Sequence, residues 1–317
     1  MEINMLMKLN APVEEMACYT DTCCYKGKVS SDLKIKLKDF DTGWAQNEEA
    51  KFLGKGELKE MANKLLEENR WELAKAQELL YASNTYALLV ILQGMDAAGK
   101  DGLIKHVMSG VNPQGCQVAT FKQPSTIELG HDFLWRHVAA LPEKGMIGIF
   151  NRSYYEEVLI VKVHGNLLKN QNLPTGKYDR KFWKNRYEDI ANFEHHLVRN
   201  GTIILKFFLH ISKNEQKKRF DERLRDPGKY WKFSDADIKE RDYWNDYMKA
   251  YEDMINKTST QWAPWYIIPA DYKWLARSLV ADIITASIMS LGIKFPVLSE
   301  EKLEAIEEAK RKLKLAS

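Results

Sequence analysis

Tyr86-Ala-Leu-Leu-Val-Ile-Leu-Gln93, followed at once by Gly94-Met-Asp-Ala-Ala-Gly-Lys-Asp101, is the stretch on which the fold turns. Its first half is a nearly continuous apolar run with a glycine at its exit. That pattern suits a strand buried on both faces of a parallel sheet. Its second half fits G-x-x-x-x-G-K, with Asp101 where Ser or Thr usually closes the pattern. In such a loop the backbone N–H groups converge on phosphate oxygens, and the positive end of the next helix faces them. Lys100 adds a mobile point charge over a transferring phosphoryl group. Asp96 and Asp101 would repel a bare phosphate. They make sense as hard oxygen ligands of a Mg²⁺ ion that neutralises it, the alternatives being a turn residue and a helix cap.

Similar short apolar runs recur at Gln117–Phe121, Met146–Phe150, Thr202–Leu209 and Trp265–Pro269. Helix-like segments at 100–109, 127–140, 179–199 and 213–225 separate them, and further helices are expected over 57–82, 235–258, 271–291 and 298–313. Strands alternating with helices predict βαβ units and right-handed crossovers. The expected fold is an α/β, P-loop kinase-like, doubly wound parallel sheet of about five strands flanked by helices, with a helical lid. The expected organisation is an N-terminal arm over 1–54, a P-loop kinase domain over 55–297 with its lid at about 213–245, and a C-terminal helix over 298–317.

Composition narrows the field. The chain has 317 residues, 45% hydrophobic and 29% charged, with only 9 Pro and 17 Gly, which excludes disorder and collagen. No apolar run approaches the roughly 20 residues of a membrane span, and the N-terminus lacks a secretory pattern. Cys18, Cys23, Cys24 and Cys116 offer no CxxC spacing and read as reduced thiols of a cytoplasmic protein. A net charge of +3 is too small for a nucleic-acid coat or a membrane-surface binder, so an anionic partner must meet a local basic patch.

Two segments supply such cations. After the Met146–Phe150 run comes Asn151-Arg-Ser-Tyr-Tyr-Glu-Glu157, where a doubly wound sheet gathers its ligands. Arg152 offers a forked donor set suited to phosphate, unless Glu156 or Glu157 occupies it. Asn151 stands where P-loop kinases often place an acidic residue, shifting the metal burden to Asp96 and Asp101. Lys213 to Lys232 reads KNEQKKRFDERLRDPGKYWK, with eight Lys/Arg against four Asp/Glu. Arg219 and Arg223 share one helix face, and Asp226-Pro-Gly228 breaks the helix. Beside a P-loop this reads as a lid that closes on phosphates, against the plainer reading of a solvated charged helix. His195–His196 reads as surface and core edge.

Taken together, Gly94 to Gly102, Asn151 to Glu157, Lys206-Phe-Phe-Leu-His-Ile-Ser212 with Glu215-Gln216, and Arg223 through Trp231-Lys-Phe-Ser234 resemble the family-2 polyphosphate kinases, from about Asp39 to about Pro296. The resemblance implies transfer of the terminal phosphoryl group of inorganic polyphosphate to ADP, and AMP, in a reversible reaction that uses Mg²⁺, with Mn²⁺ as a substitute. It implies that Asp96, Lys100, Asp101 and Arg152 surround the reacting phosphoryl group, with Asp96 and Asp101 at the metal. Gly94, Ala97, Ala98, Gly99, Asn151 and Glu156 would hold nucleotide or phosphate. Arg219 and Arg223, with Arg225, Lys229 and Lys232, would form the lid side for polyphosphate. Asn-Arg-Ser rather than Asp-Arg-Ser resembles the branch that accepts both AMP and ADP; guanine nucleotides are a further acceptor class. A cytoplasmic homo-oligomer, dimer or tetramer, is expected, with no nucleic acid or membrane partner. The competing readings are an ATP-dependent nucleoside monophosphate kinase and a non-catalytic P-loop nucleotide-binding protein.

Overall fold

The computed structural model describes residues 27–31, 34–43, 48–174, 176–232 and 234–315. Six strands form one sheet: β1 (Lys28–Val29), β2 (Ala87–Gln93), β3 (Cys116–Thr120), β4 (Ile147–Asn151), β5 (Thr202–His210) and β6 (Trp265–Pro269). Their order is β1-β6-β5-β2-β4-β3. Pairing is parallel throughout except at the β1 edge, where Lys28 and Val29 run antiparallel to Tyr266 and Trp265. The five parallel strands are those expected, with ends shifted by no more than about one residue, and β1 is an addition. β1 carries only two residues, so no alternation can betray it.

The central strand β2 lies between β4 and β5, so the chain leaves toward β3 and β4 on one side and returns to β5 and β6 on the other. That reversal opens a crevice beyond the carboxyl ends of the strands. Every residue of β2 and β4 is buried, as covering both faces of a parallel sheet requires.

The main helices are α1 (Glu48–Ser83), α2 (Lys100–Val107), α3 (Arg180–Arg199), α4 (Lys213–Arg225), α5 (Trp244–Thr258), α6 (Lys273–Met289) and α7 (Glu300–Leu315). Helix α1 bends at Gly54, whose φ of 78° is outside helical space. It buries Leu58, Leu65, Leu73, Ala76 and Leu80, while Trp71 is exposed and carries the Lys75 ammonium on its ring. Helix α6 buries ten of its 17 residues and packs along α1, where the Ser278 hydroxyl donates to the Ala62 carbonyl.

Two expected helices are broken. The 127–140 segment forms two single turns, Thr126–Leu129 and Trp135–Val138. Ser125 and Glu128 cap the first reciprocally, and the Asp132 carboxylate restarts the chain by accepting from Leu134 N–H. The 235–258 segment is interrupted at Glu240–Tyr243, where Arg241 donates to Gln216 and Lys213 while Glu240 accepts from Tyr247. Those tertiary bonds override a continuous helix.

Residues ahead of α1 also pack on the sheet. Val29 and Leu37 are buried, Thr42 donates to Asp271, and Asn256 and Glu252 of α5 accept from the N–H groups of Ile35 and Leu37. Helix α7 is exposed along its described length. Cys18, Cys23 and Cys24 lie outside the described residues; Cys116 is a free thiol that burial pushes up to about 11. Among the described residues no helix is long and apolar enough to cross a membrane.

Candidate active site

The loop after β2 has the backbone that its glycines anticipate. Gly94 has φ 155°, and a Cβ there would sit 3.0 Å from the Leu209 carbonyl. Gly99 has φ 109°, left-handed space that suits a residue without Cβ. At the site two non-glycine residues share that space, Ala97 at φ 63° and Arg152 at φ 65°. Such strain is held only where surrounding bonds over-determine it. At Ala97 the source is visible. The Arg219 guanidinium donates to Ala97 O (2.9 Å), Ala98 O (2.8 Å), Ala270 O (2.6 Å) and Asp271 O (3.1 Å), and its Nε to Glu215 (2.9 Å). All five N–H donors of that side chain are thereby used. Gln216, three residues earlier, donates to Asp96 O at 2.9 Å.

Arg219 is thus buried beneath the loop, its donors spent on backbone carbonyls and Glu215, while it still borders the cleft that Arg223 also lines. Arg223 does reach the cleft, paired with Asp237 at 3.6 Å. Lys229 lines the cleft and pairs with Asp226 at 2.8 Å. Arg225 is exposed and outside the cleft. The side chain of Lys232 lies outside the described residues.

Lys100 points back into the loop, donating to Gly94 O at 2.7 Å and Met95 O at 3.3 Å. It is 9% exposed. Burial, and then the Arg152 charge, lower its pKa from 10.5 to about 8, against the pull of Asp96, Glu156 and Asp101. Arg152 pairs with Asp96 at 2.6 Å and with Glu156 at 3.2 Å. Glu156, foremost, holds that guanidinium charged despite its burial. Asn151 donates to Asp101 at 2.9 Å. Lys100, Arg152, Asp96 and Asp101 therefore form one polar cluster at the carboxyl ends of β2 and β4, and Arg152 has two acidic partners in the free protein.

The turn carrying Arg152 is braced from behind. Tyr154 and Tyr155 hydroxyls both donate to Glu194 Oε1, at 2.8 and 2.7 Å. Lys206 donates to Glu194 Oε2 (2.6 Å), Tyr155 (3.0 Å) and Thr258 O (2.7 Å). Lys206 and Glu194 are both fully buried. A buried pair so completely hydrogen-bonded fixes geometry more surely than it adds stability.

Two cavities meet at this cluster. One, about 790 Å³, is lined by residues 96–103 with Lys122, Asn151, Arg223, Lys229, Lys273 and Arg277. The other, about 410 Å³, has mostly apolar walls from Phe121, Leu129, Phe133, Tyr154, Ile160 and Leu167, with Arg136, Glu156 and His164 among its polar groups. Phe121, Lys122, Gln123 and Arg152 line both. Cations beside a phosphate loop suit an anionic chain, and an apolar slot suits a flat heterocycle.

Sequence reading missed Lys122, Lys273, Arg277, Arg136 and Asp237. Lys122 follows β3, and Lys273 and Arg277 follow β6, so the rule that ligands gather beyond carboxyl strand ends could have found them. Asp237 faces Asp96 and Arg223; burial and then Asp96 push its carboxyl up. His195 stacks on Trp262 at the surface, as a non-catalytic residue would.

Among the described residues no three His, Cys, Asp or Glu side chains are grouped to hold a metal. Two carboxylates beside a phosphate loop nevertheless fit Mg²⁺, which typically takes one or two carboxylates and completes its shell with phosphate oxygens and water. Asp96 and Asp101 fit that donor set.

The sheet order, the strained glycine loop and its lysine define a P-loop phosphotransferase. The description "Polyphosphate kinase 2 (PPK2)" matches residues 57–295. The chain is 49% identical over 290 residues to an ADP-polyphosphate phosphotransferase of Rhodopseudomonas palustris, covering 89% of this chain and 99% of that one. It is 44% identical over 271 residues to an AMP/ADP-polyphosphate phosphotransferase of Meiothermus ruber, covering 86% and 95%. Polyphosphate kinase 2 from Arthrobacter aurescens superposes with a TM-score of 0.73 at 41% identity, over 82% of this chain and 87% of that one. This chain belongs to the polyphosphate kinase 2 family.

Proposed function

We propose that this enzyme transfers the terminal phosphoryl group of inorganic polyphosphate to ADP, making ATP, and to AMP, making ADP, and that it runs reversibly. The observation that carries the reading is the meeting of a cation-lined cavity with an apolar one at Arg152 and the phosphate loop. A polyanion lies in the first, a base in the second, and their terminal phosphates face each other at the junction. The names of the two relatives above support both acceptors.

In this reading the loop N–H groups and the first turn of α2 bind the transferring group. Lys100 leaves its carbonyl partners for phosphate oxygens and stabilises the charge that moves between donor and acceptor. Arg152, with two acidic partners nearby, exchanges one of them for phosphate and aligns the groups. Asp96 and Asp101 would hold a divalent ion, Mg²⁺ with Mn²⁺ as substitute, which supplies Lewis-acid stabilisation of phosphoryl oxygens. Glu156, held against Arg152, borders the acceptor's phosphates. Arg223 and Lys229 close over the donor from the 213–232 side, and Arg219 holds the loop in its strained form. The enzyme works in the cytoplasm, where its nucleotides are, as a homo-oligomer.

Incubation with polyphosphate and ADP, ATP absent, tests the reading. ATP should accumulate. If only ATP with AMP supports turnover, the ATP-dependent monophosphate kinase is the correct assignment; nucleotide binding with no transfer from either donor would assign a non-catalytic role.

A further inference from the structure

Two basic surfaces leave the phosphate loop, and their cations differ in how they are partnered. On the 213–232 side, Lys218 pairs with Glu215 at 3.7 Å, Arg223 with Asp237 at 3.6 Å and Lys229 with Asp226 at 2.8 Å. Arg219 has no free donor, and Arg225 points away from the cleft. On the other side helix α6 begins just beyond the carboxyl end of β6. Lys273 and Arg277, four residues apart, share its cleft-facing side, about 6 Å from one to the next along the axis.

Among the described residues neither Lys273 nor Arg277 has an acidic partner within ion-pair distance. The Arg277 guanidinium abuts the first turn of α2, 3.7 Å from where a Cβ on Gly102 would stand. Burial and then Arg219 push the Lys273 pKa down, with Glu222, which lines the same cleft, and Glu215 opposing. Burial, then Arg70 of α1, then Arg219 push the Arg277 pKa down, with no acid opposing. Arg70 itself pairs with Glu67 and donates to His106 O. Lys273 is exposed and Arg277 partly buried; with no acid within ion-pair distance such cations repel, and a row of them in a cleft is relieved by an anion.

Resting on the polyphosphate reading above, we infer that the phosphate chain extends from the loop across α6, over Lys273 and then Arg277 toward Arg70, instead of along the 213–232 helix. A nucleotide's few phosphates end at the loop, so this row is specific for a long linear phosphate polymer.

The test compares long-chain polyphosphate with tripolyphosphate as donor to ADP, using the full chain. In Lys273→Met/Arg277→Met the KM for long polyphosphate should rise at least roughly tenfold, as the loss of one charge-assisted contact implies. The KM for tripolyphosphate should change far less, and that for ADP not at all. The KM for the long donor should also depend less steeply on salt in the double variant, because fewer counterions are exchanged. Removing the repulsion should leave Tm unchanged or raised, and Arg277→Lys should keep most of the long-chain advantage. An unchanged ratio of long to short KM in the double variant overturns the inference while leaving polyphosphate use intact. So does a larger loss in Arg225→Met, which would place the chain along the 213–232 helix. Absence of any transfer from polyphosphate in the wild type would overturn the functional reading itself.

Discussion

Raising the pH should switch the enzyme off through Lys100. The lysine is 9% exposed, and burial and Arg152 lower its pKa from 10.5 to about 8. That corresponds to about 3 kcal/mol of disfavoured charge in the free enzyme. In the folded chain Lys100 loses its proton at lower pH than in the unfolded one. Its contribution to stability therefore rises between about pH 8 and 10.5, while its catalytic charge disappears over the same window. With a pKa of about 8, about nine-tenths of the enzyme is charged at pH 7 and about one-tenth at pH 9, so kcat/KM should fall about tenfold. Substrate phosphates complete their ionisation near pH 6 and add no limb above 7. The assay is kcat/KM for polyphosphate at saturating ADP and metal, across pH 6.5–9.5, for wild type, Lys100→Arg and Lys100→Met. The arginine variant should lose the alkaline limb, since its guanidinium stays charged. The methionine variant should be flat and lower by roughly 10² or more. Polyphosphate binding near pH 8.5 should take up a proton, visible as a buffer-dependent heat. A wild-type profile flat from pH 7 to 9, or an identical limb in Lys100→Arg, would refute the role given to this lysine.

Arg219→Met should strand four backbone carbonyls, lowering stability by roughly 1–3 kcal/mol or more and reducing kcat/KM for polyphosphate and ADP alike; a donor-selective loss in steady-state kinetics would contradict a loop-anchoring role. Lys206→Met should leave Glu194 buried without its cation and cost about 3–5 kcal/mol in denaturant unfolding, whereas loss of less than about 1 kcal/mol would show that the pair is dispensable. Asp101→Asn should shift the Mg²⁺ titration of activity to higher concentration; an unchanged curve would make Asp101 a helix cap.

The five parallel strands were legible because each is a short, densely apolar run ending at a turn, and burial on both faces demands that composition. Helix α4 was legible to the residue, since Ser212 caps it and Asp226-Pro227 ends it. What the sequence hid depends on distant partners. The breaks at 130–134 and 240–243 come from caps and from Arg241 reaching Gln216, 25 positions away. The loop, Asp96, Lys100, Asp101 and Arg152 could be read from a local motif. The fate of Arg219 could not, because whether a basic helix faces phosphate or supports the loop depends on which side meets Ala97 and Ala270. Lys273 and Arg277 sit in a mostly apolar helix and raise no local charge signal, though both line the cleft and, among the described residues, neither has an acidic partner within ion-pair distance.

Polyphosphate, not a nucleotide, is the proposed donor. Phosphorus NMR of the enzyme with polyphosphate, ADP and Mg²⁺, free of added ATP, measures this directly. ATP γ-phosphate signal should grow as phosphate residues leave the polymer, one for one, and Lys100→Met should abolish both changes. An unchanged polymer spectrum, alongside ADP formation from ATP and AMP by the same preparation, would contradict it.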